Sequence, residues 1–252
     1  MTMTAHPLVE PLQPQLPRPT AMTLAETEYA RVLSLLRSLR PEDWTADTEC
    51  AGWDVRAMAA HVLGMVEMAA SVRDQKRQVG AARRRSGIFI DELTALQVEE
   101  RAGMTPAQIV DRLAERAPKA VRGRRRTPGF IRRRPMPVPQ TINGRDERWT
   151  VGYLVDTILT RDPWMHRVDL VRATGATHVL TPDHDGVLVA DVVAEWGARH
   201  GRPFSLRLTG PAGGAWSAGS GGPEIELDAV EFCRTVSGRS AGDGPLATQV
   251  PF

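Results

Sequence analysis

The stretch TRDPWMHRVDLVRATG, residues 160–175, decides the predicted fold. Thr150 upstream is a suitable N-cap, and Gly175 is a typical C-terminal stop, so one long helix is predicted between them. Asp162 and His166 lie four residues apart in this helix. Residues at that spacing stack on one helical face, which places the two side chains to bind one ion together.

Three further segments upstream have helical apolar periodicity. Thr23 and Glu26 form a capping-box pattern before the first, which ends near Pro41. A second is predicted to start near Asp54, and a third at Thr105, an N-cap with proline at the next position. Four long helices indicate a bundle. The expected core stripes are Tyr29, Val32, Leu33, Leu36 and Leu39 in the first helix, and Val55, Met58, Ala59, Val62 and Val66 in the second.

Pro163 interrupts the fourth helix directly after Asp162. Proline removes a backbone donor, so a kink or a local restart is expected there. Ligand sites in bundles are built from inward-facing side chains. We therefore expect the irregularity to help aim Asp162 and His166 into the bundle.

His61 lies inside the second predicted helix among apolar neighbours. A packed core histidine is the simpler interpretation. If the helix lies beside the fourth one, however, His61 completes a set of two imidazoles and a carboxylate with Asp162 and His166. This mixture of nitrogen and oxygen donors suits zinc or another first-row divalent metal and leaves coordination positions open.

The periodicity changes after Gly175, and the remainder predicts a small α+β domain. Residues 178–186 are expected to be a linker, and Asp228 is expected to cap a last helix. Glycines around AWSAG, residues 215–219, suggest a hairpin there. The other predicted elements are a helix over 187–201 and strands over 204–210 and 224–228. The predicted class is thus α+β, with a leader over 1–22, a helical bundle over 23–176 and the α+β domain over 177–252.

Composition is that of a globular protein. With 252 residues, of which 42% are hydrophobic, the chain can bury one large core or two smaller ones, and two domains are expected. Two cysteines, Cys50 and Cys233, form no disulfide framework and indicate a reducing, cytoplasmic setting. Structural packing is the expected role of Cys50. No apolar run is long enough for a membrane span.

Arginine clusters occur at residues 83–85, 124–126 and 132–134. A basic segment containing an aromatic residue can contact phosphates. The formal net charge is only +2, so a solvated rim that attracts an anionic small molecule is favoured over a nucleic-acid surface. The histidines at 178, 184 and 200 fall in or beside predicted loops, where exposed imidazoles need no function.

Three stretches together resemble the mycothiol-dependent maleylpyruvate isomerase family, whose N-terminal domain is a DinB-like four-helix bundle. They are TADTECAGWDVRAMAAHVLGMV at 45–66, RDPWMHRVDLVRATG at 161–175 and the terminal segment from Gly221 to Phe252. The resemblance implies that His61, Asp162 and His166 hold a divalent metal, usually zinc. The family commonly has Glu where this chain has Asp162. The implied partners are mycothiol, bound to the metal as a thiolate, and a small electrophilic substrate.

Two reactions agree with that resemblance: isomerisation of a double bond by addition, rotation and elimination, or transfer of the thiol to the substrate. Arg239 aligns with a basic position of the family's C-terminal domain and is expected to receive a substrate carboxylate through a two-pronged hydrogen bond. Arg167 and Asp169 are expected either to pair with each other or to orient the ligands. The alternative from another class is a non-catalytic protein that binds a small molecule or lipid on the same scaffold.

Overall fold

Four long helices form a closed ring in the computed structural model, which describes residues 10–252. Each helix contacts its two neighbours in the order α1, α5, α2, α8. Their shared core is apolar and includes Val32, Leu63, Leu113 and Leu170. The predicted bundle is therefore confirmed. Its helices are α1 (Arg18–Ser38), α2 (Val55–Ala70), α5 (Pro106–Arg126) and α8 (Leu159–Thr174).

Two more helices, α3 (Val72–Ala82) and α4 (Phe89–Glu99), lie between α2 and α5 in the chain and pack against α2. They were not among the predicted elements. The sequence of α3, VRDQKRQVGAA, has no apolar stripe. The positions of this helix that are buried in the structure are Gln78 and Ala82. A polar residue thus occupies the position where helix prediction looks for a large apolar one.

Helix α1 begins at Arg18, five residues before the predicted N-cap Thr23. Thr23 is inside the helix, where its hydroxyl donates to the Pro19 carbonyl (3.2 Å). Part of the predicted leader is therefore structured: Ala21 and Met22 are buried in α1, and Leu12 exchanges backbone hydrogen bonds with the segment before α7. The first nine residues of that predicted leader lie outside the described part of the chain.

The other cap predictions agree with the structure. Asp54 accepts the Ala57 amide at the start of α2, and Thr105 and Gln108 form a capping box at the start of α5. Gly175 ends α8 in the left-handed region, with φ of 68°. Short elements connect α5 to α8: α6 (Gly129–Arg132), β1 (Gln140–Ile142), β2 (Arg145–Glu147) and α7 (Val151–Tyr153).

The irregularity predicted at Pro163 lies earlier in the chain, in a π-helical segment, Leu154–Ile158, that joins α7 to α8. Pro163 has no N–H to donate to the Leu159 carbonyl four residues before it. Arg124 fills that role from α5: its Nη1 donates to Leu159 O (2.9 Å) and its Nη2 donates to Thr160 Oγ1 (2.6 Å). A buried arginine therefore satisfies the carbonyl that proline leaves free.

The C-terminal unit packs on the side of α8 that lies opposite the bundle core. Trp164 and Val168 of α8 share a core with α9, the sheet and α10. In the three-stranded sheet, β3 lies between β4, its antiparallel neighbour, and β5, its parallel neighbour. This confirms the predicted α+β class. The elements are α9 (Val187–His200), β3 (Phe204–Thr209), β4 (Gly214–Ala218), β5 (Glu224–Asp228) and α10 (Ala229–Val236).

The hairpin predicted around AWSAG is formed by β3 and β4, with its turn at residues 210–213, so this segment supplies the second strand and not the turn. One local prediction in this unit was wrong. The predicted linker contains a π-helical segment, Pro182–Gly186, in which His184 and Asp185 are buried. Among residues 10–252, none of the helices combines the length and the apolar character that a membrane crossing requires.

Candidate metal centre

Helix α2 carries His61 into the bundle, where its side chain is 2% exposed. The helix starts at the Asp54 cap and is apolar on nearly all sides, so it is buried by α4, α5 and α8. The Nδ1 atom of His61 lies 2.9 Å from Oε1 of Gln97 on α4. The Nε2 atom faces α8.

Helix α8 presents Asp162 and His166 to the same point. Asp162 Oδ1 lies 3.4 Å from His61 Nε2 and 3.5 Å from His166 Nε2. The ligand atoms of the three residues all lie within 4.8 Å of one another. The structure thus brings together the three residues that sequence reasoning singled out, one of them from a helix 101 positions away in the chain.

Two of the three distances between these atoms agree with a tetrahedral zinc ion. Two ligands that each lie about 2.0–2.1 Å from such an ion are about 3.3 Å from each other. The two Nε2 atoms lie close to that distance from Asp162 Oδ1. The other oxygen of Asp162, Oδ2, is buried and has no hydrogen-bond partner among the described residues. A cation between the three side chains would match both observations.

Electrostatics also favour positive charge here. Burial opposes ionisation of Asp162, but the adjacent His61 and His166 outweigh it and hold the pKa of the carboxyl well below its usual range. Burial alone would lower the pKa of His166, but the Asp162 carboxylate raises it well above its ordinary value. The site therefore keeps a carboxylate at neutral pH and attracts cationic charge to His166.

A second group of contacts holds the His166 ring at Nδ1, the nitrogen that does not face Asp162. The Nδ1 atom of His166 lies 3.1 Å from Asp169 Oδ2. Asp169 in turn accepts two hydrogen bonds from Arg239 of the C-terminal unit, from Nε (2.8 Å) and Nη2 (2.7 Å). Burial raises the pKa of Asp169, but the opposing effect of His166 and Arg239 is larger and the net pKa is lowered. This carboxylate therefore also stays charged.

The two-pronged edge of Arg239 is thus occupied by Asp169. Among the described residues, its remaining nitrogen, Nη1, has one long contact, with Ser237 Oγ (3.4 Å). Of the two alternatives for Arg167 and Asp169, their mutual pairing was wrong, because Asp169 pairs with Arg239 and contacts the candidate ligand His166. Arg167 lies on the other side of α8 and donates to Glu28 (2.7 Å) and Asp185 (2.7 Å).

His184 and the arginine clusters also differ from expectation. His184 is buried and its Nε2 lies 2.7 Å from Glu28 Oε2, so it is a structural residue and not an exposed loop imidazole. Within the basic segment, Arg124 is buried, Arg125 pairs with Glu26, and Arg132 pairs with buried Asp156. Part of this arginine-rich stretch therefore serves the fold.

Both cysteines are free. Cys233 is buried in the C-terminal core, and burial raises the pKa of its thiol. Cys50 is partly exposed, and its thiol donates a long hydrogen bond to Asp169 Oδ2 (3.8 Å). Cys50, His166 and Asp169 also lie close enough together to hold a metal, but both carboxylate oxygens of Asp169 already accept hydrogen bonds from Arg239. The His61, Asp162 and His166 group is the better candidate.

Sequence reasoning missed Gln97 because α4 was not predicted. Trp53, which immediately precedes the Asp54 cap, was not among the predicted site residues. Its ring centroid lies 5.1 Å from that of His61 and 6.1 Å from that of His166, so it covers one side of the site.

Comparison with known proteins agrees with this architecture. Two solved structures resemble the whole chain: the mycothiol-dependent maleylpyruvate isomerase, with 19% identity, and a histidine-to-alanine mutant of it, with 16% identity. Both give a TM-score of 0.55, and the matches cover 91% and 90% of this chain and 92% and 91% of the other chain, respectively. They show a common fold. No curated protein matched the sequence.

A family model gives the assignment. Residues 25–171 match the mycothiol maleylpyruvate isomerase N-terminal domain, and this range includes His61, Asp162 and His166. The match spans more than half of the 252 residues. The chain therefore belongs to the mycothiol-dependent maleylpyruvate isomerase family.

Proposed function

We propose that this protein is a metal-dependent enzyme that uses a low-molecular-weight thiol, mycothiol, to isomerise a small electrophilic substrate. The observation that carries the proposal is the convergence of His61 Nε2, His166 Nε2 and Asp162 Oδ1 at spacings of 3.4 and 3.5 Å. Family membership supplies the thiol and the reaction class.

His61, Asp162 and His166 would hold the divalent metal, with zinc as the proposed ion because its preferred donors and spacing match the set. When bound, the metal would lower the pKa of a coordinated thiol, so that a thiolate nucleophile is present at neutral pH without a protein cysteine. The shorter Asp162 side chain serves in place of the Glu that the family commonly has. Its Oδ1 is nearly equidistant from both imidazoles.

The surrounding residues would hold the site and orient the substrate. Asp169 fixes the His166 ring through Nδ1, as outer hydrogen-bond partners of ligands commonly do. Arg239 has its Nη1 available, and we propose that this atom donates to a carboxylate of the substrate. Because Asp169 holds the rest of the guanidinium, that donor would be fixed in place.

Metal content tests the site. We expect wild-type protein to contain close to one divalent ion per chain by elemental analysis, and His61→Ala and His166→Ala to lose most of it. His178→Ala, at a histidine outside the site, is the matched control and should keep its metal. Full occupancy in both site variants would place the metal elsewhere. Metal-free wild-type protein would favour the non-catalytic binding protein.

The fate of the thiol distinguishes the two reactions. Isomerisation releases the thiol unchanged, so substrate conversion should continue at a substoichiometric concentration of mycothiol. Transfer consumes one thiol for each product molecule. Turnover that stops when the thiol has been consumed would therefore identify the protein as a thiol S-transferase.

A further inference from the structure

A line of buried amides leads away from His61. Gln97 Oε1 lies 2.9 Å from His61 Nδ1, and Gln97 Nε2 donates to Gln78 Oε1 (2.9 Å). Gln78 Nε2 then donates to the backbone carbonyl of Gly64 (3.2 Å). Both glutamines have 0% of their surface exposed. The line joins α3 and α4, which pack against α2 outside the four-helix ring, to the candidate metal centre on α2.

The Gly64 carbonyl sets the direction of every hydrogen bond in this line. A carbonyl can only accept, so Gln78 must present its NH₂ group to Gly64 and its oxygen to Gln97. Gln97 must then present its NH₂ group to Gln78 and its oxygen to His61. The sulfur of Met65, a weak acceptor 3.3 Å from Gln97 Nε2, agrees with this orientation. Because an amide oxygen can only accept, the Nδ1 atom of His61 beside the Gln97 oxygen must carry a hydrogen.

We infer that Gln78 and Gln97 are positioning residues that hold neutral His61 with its hydrogen on Nδ1, so that the Nε2 lone pair faces Asp162 and His166. Among residues 10–252, Gln97 is the hydrogen-bond partner of His61 Nδ1, and Asp162 faces the other ring nitrogen. The Asp162 carboxylate, 3.4 Å from Nε2, would by itself attract the hydrogen to Nε2 and leave no lone pair for a metal. The inference rests on the proposed function only in assigning the Nε2 lone pair to a metal ion.

The packing of α2 against α4 is built around this amide line. A Cβ atom at Gly64 would lie 2.6 Å from Cγ of Gln97. Glycine at this position therefore lets the Gln97 side chain cross the surface of α2 between His61 and Gln78. Arg101, which follows the end of α4, also donates to the Gln97 backbone carbonyl (2.7 Å). This hydrogen bond fixes the last turn of α4, where Gln97 lies.

The tautomer can be measured directly in metal-free protein, without reference to activity. We expect ¹⁵N NMR of histidine-labelled protein at alkaline pH to show a protonated Nδ1 and an unprotonated Nε2 for His61, assigned by the loss of its signals in His61→Ala. An Nε2–H tautomer in the wild-type protein would overturn the inference without the need for any variant.

Gln78→Met provides the second test, since Gln78 does not contact His61. Gln97 loses the acceptor that fixes its amide, so we expect a mixture of His61 tautomers and metal affinity reduced by about 10–100-fold. Met65→Leu, which leaves all three amide contacts in place, is the matched control and should keep the Nδ1–H form. A folded Gln78→Met protein with the wild-type tautomer would overturn the inference. The tautomer is measured in metal-free protein, so a failure of the proposed metal site would be recognised separately.

Discussion

At the scale of single residues, Asp169 connects the two units of the protein. It accepts from Arg239 of the C-terminal unit and faces the Nδ1 atom of His166 in the bundle. Both of its partners carry or attract positive charge, and its side chain has 0% exposure. The orientation of a candidate ligand on α8 therefore depends on an arginine 70 positions after Asp169 in the chain.

Replacement of Arg239 by Ala should weaken metal binding by about 10–100-fold, because Asp169 would lose two charge-assisted hydrogen bonds and hold His166 less firmly. Titration against a chromophoric chelator measures this affinity. Arg234→Ala, which removes an arginine of α10 that pairs with Glu49 and Glu231, is the matched control. Unchanged metal affinity in Arg239→Ala, combined with a raised KM, would show that Arg239 contributes to substrate binding and not to metal binding.

Cys50→Ser and Cys233→Ser should both remain active, because the nucleophile is proposed to be the external thiol. Cys233 is buried, and its raised pKa disfavours the thiolate. The assay is turnover of an electrophilic substrate with and without added thiol in each variant. Thiol-independent turnover would contradict the prediction, as would complete inactivation of folded, metal-loaded Cys50→Ser.

At the scale of secondary-structure elements, Pro163 makes α8 depend on α5. The free Leu159 carbonyl accepts from Arg124, whose side chain is 1% exposed and makes no ion pair with any carboxylate among residues 10–252. Tyr29 of α1 contacts the same Arg124 nitrogen through its hydroxyl (3.0 Å). Three helices of the ring thus meet at the turn that carries Asp162.

Arg124→Met should destabilise the protein by roughly 1–3 kcal/mol, because the Leu159 carbonyl and the Thr160 hydroxyl would be left without this buried donor. Urea unfolding followed by circular dichroism measures the change. The neighbouring Arg125 is exposed and pairs only with Glu26 on the surface, so Arg125→Met should change the unfolding free energy by less than about 0.5 kcal/mol. Equal effects of the two substitutions would show that the carbonyl does not need Arg124.

At the scale of the whole molecule, buried charges join α1, α8 and the Pro182–Gly186 segment. Arg167 of α8 donates to both Glu28 and Asp185. Arg31 of α1 pairs with the same Asp185. Burial raises the pKa of Asp185, but Arg167 and the Thr181 amide outweigh it and lower the pKa from 3.8 to about 2.

A lowered pKa in the folded state means that ionised Asp185 contributes stability above its unfolded pKa of 3.8, and that this contribution is lost as the pH falls through about 2. The shift corresponds to about 2 kcal/mol. Unfolding free energies of wild type and Asp185→Asn should therefore differ at neutral pH and converge as the pH is lowered through that range. Asp183→Asn, at an exposed neighbour, should follow the wild type at every pH. A difference that is independent of pH would contradict the assignment.

The sequence by itself determined the elements whose signals are local. Caps at Asp54 and Thr105, the left-handed glycine at 175 and the alternation of β3 depend only on neighbours within a few residues, so they could be recognised before any folding. The pairing of Asp162 with His166 is of this kind, because helical geometry alone places residues four apart on one face.

Tertiary structure alone decided the rest. His61 reaches Asp162 across 101 positions, and Arg239 reaches Asp169 across 70, because helix packing and the docking of the C-terminal unit bring these side chains together. Helix α3 was missed because its buried contact is the amide of Gln78, which satisfies its hydrogen bonds only when α2 and α4 are in place. A buried polar residue has the same local pattern as an exposed one, and only its distant partners distinguish the two.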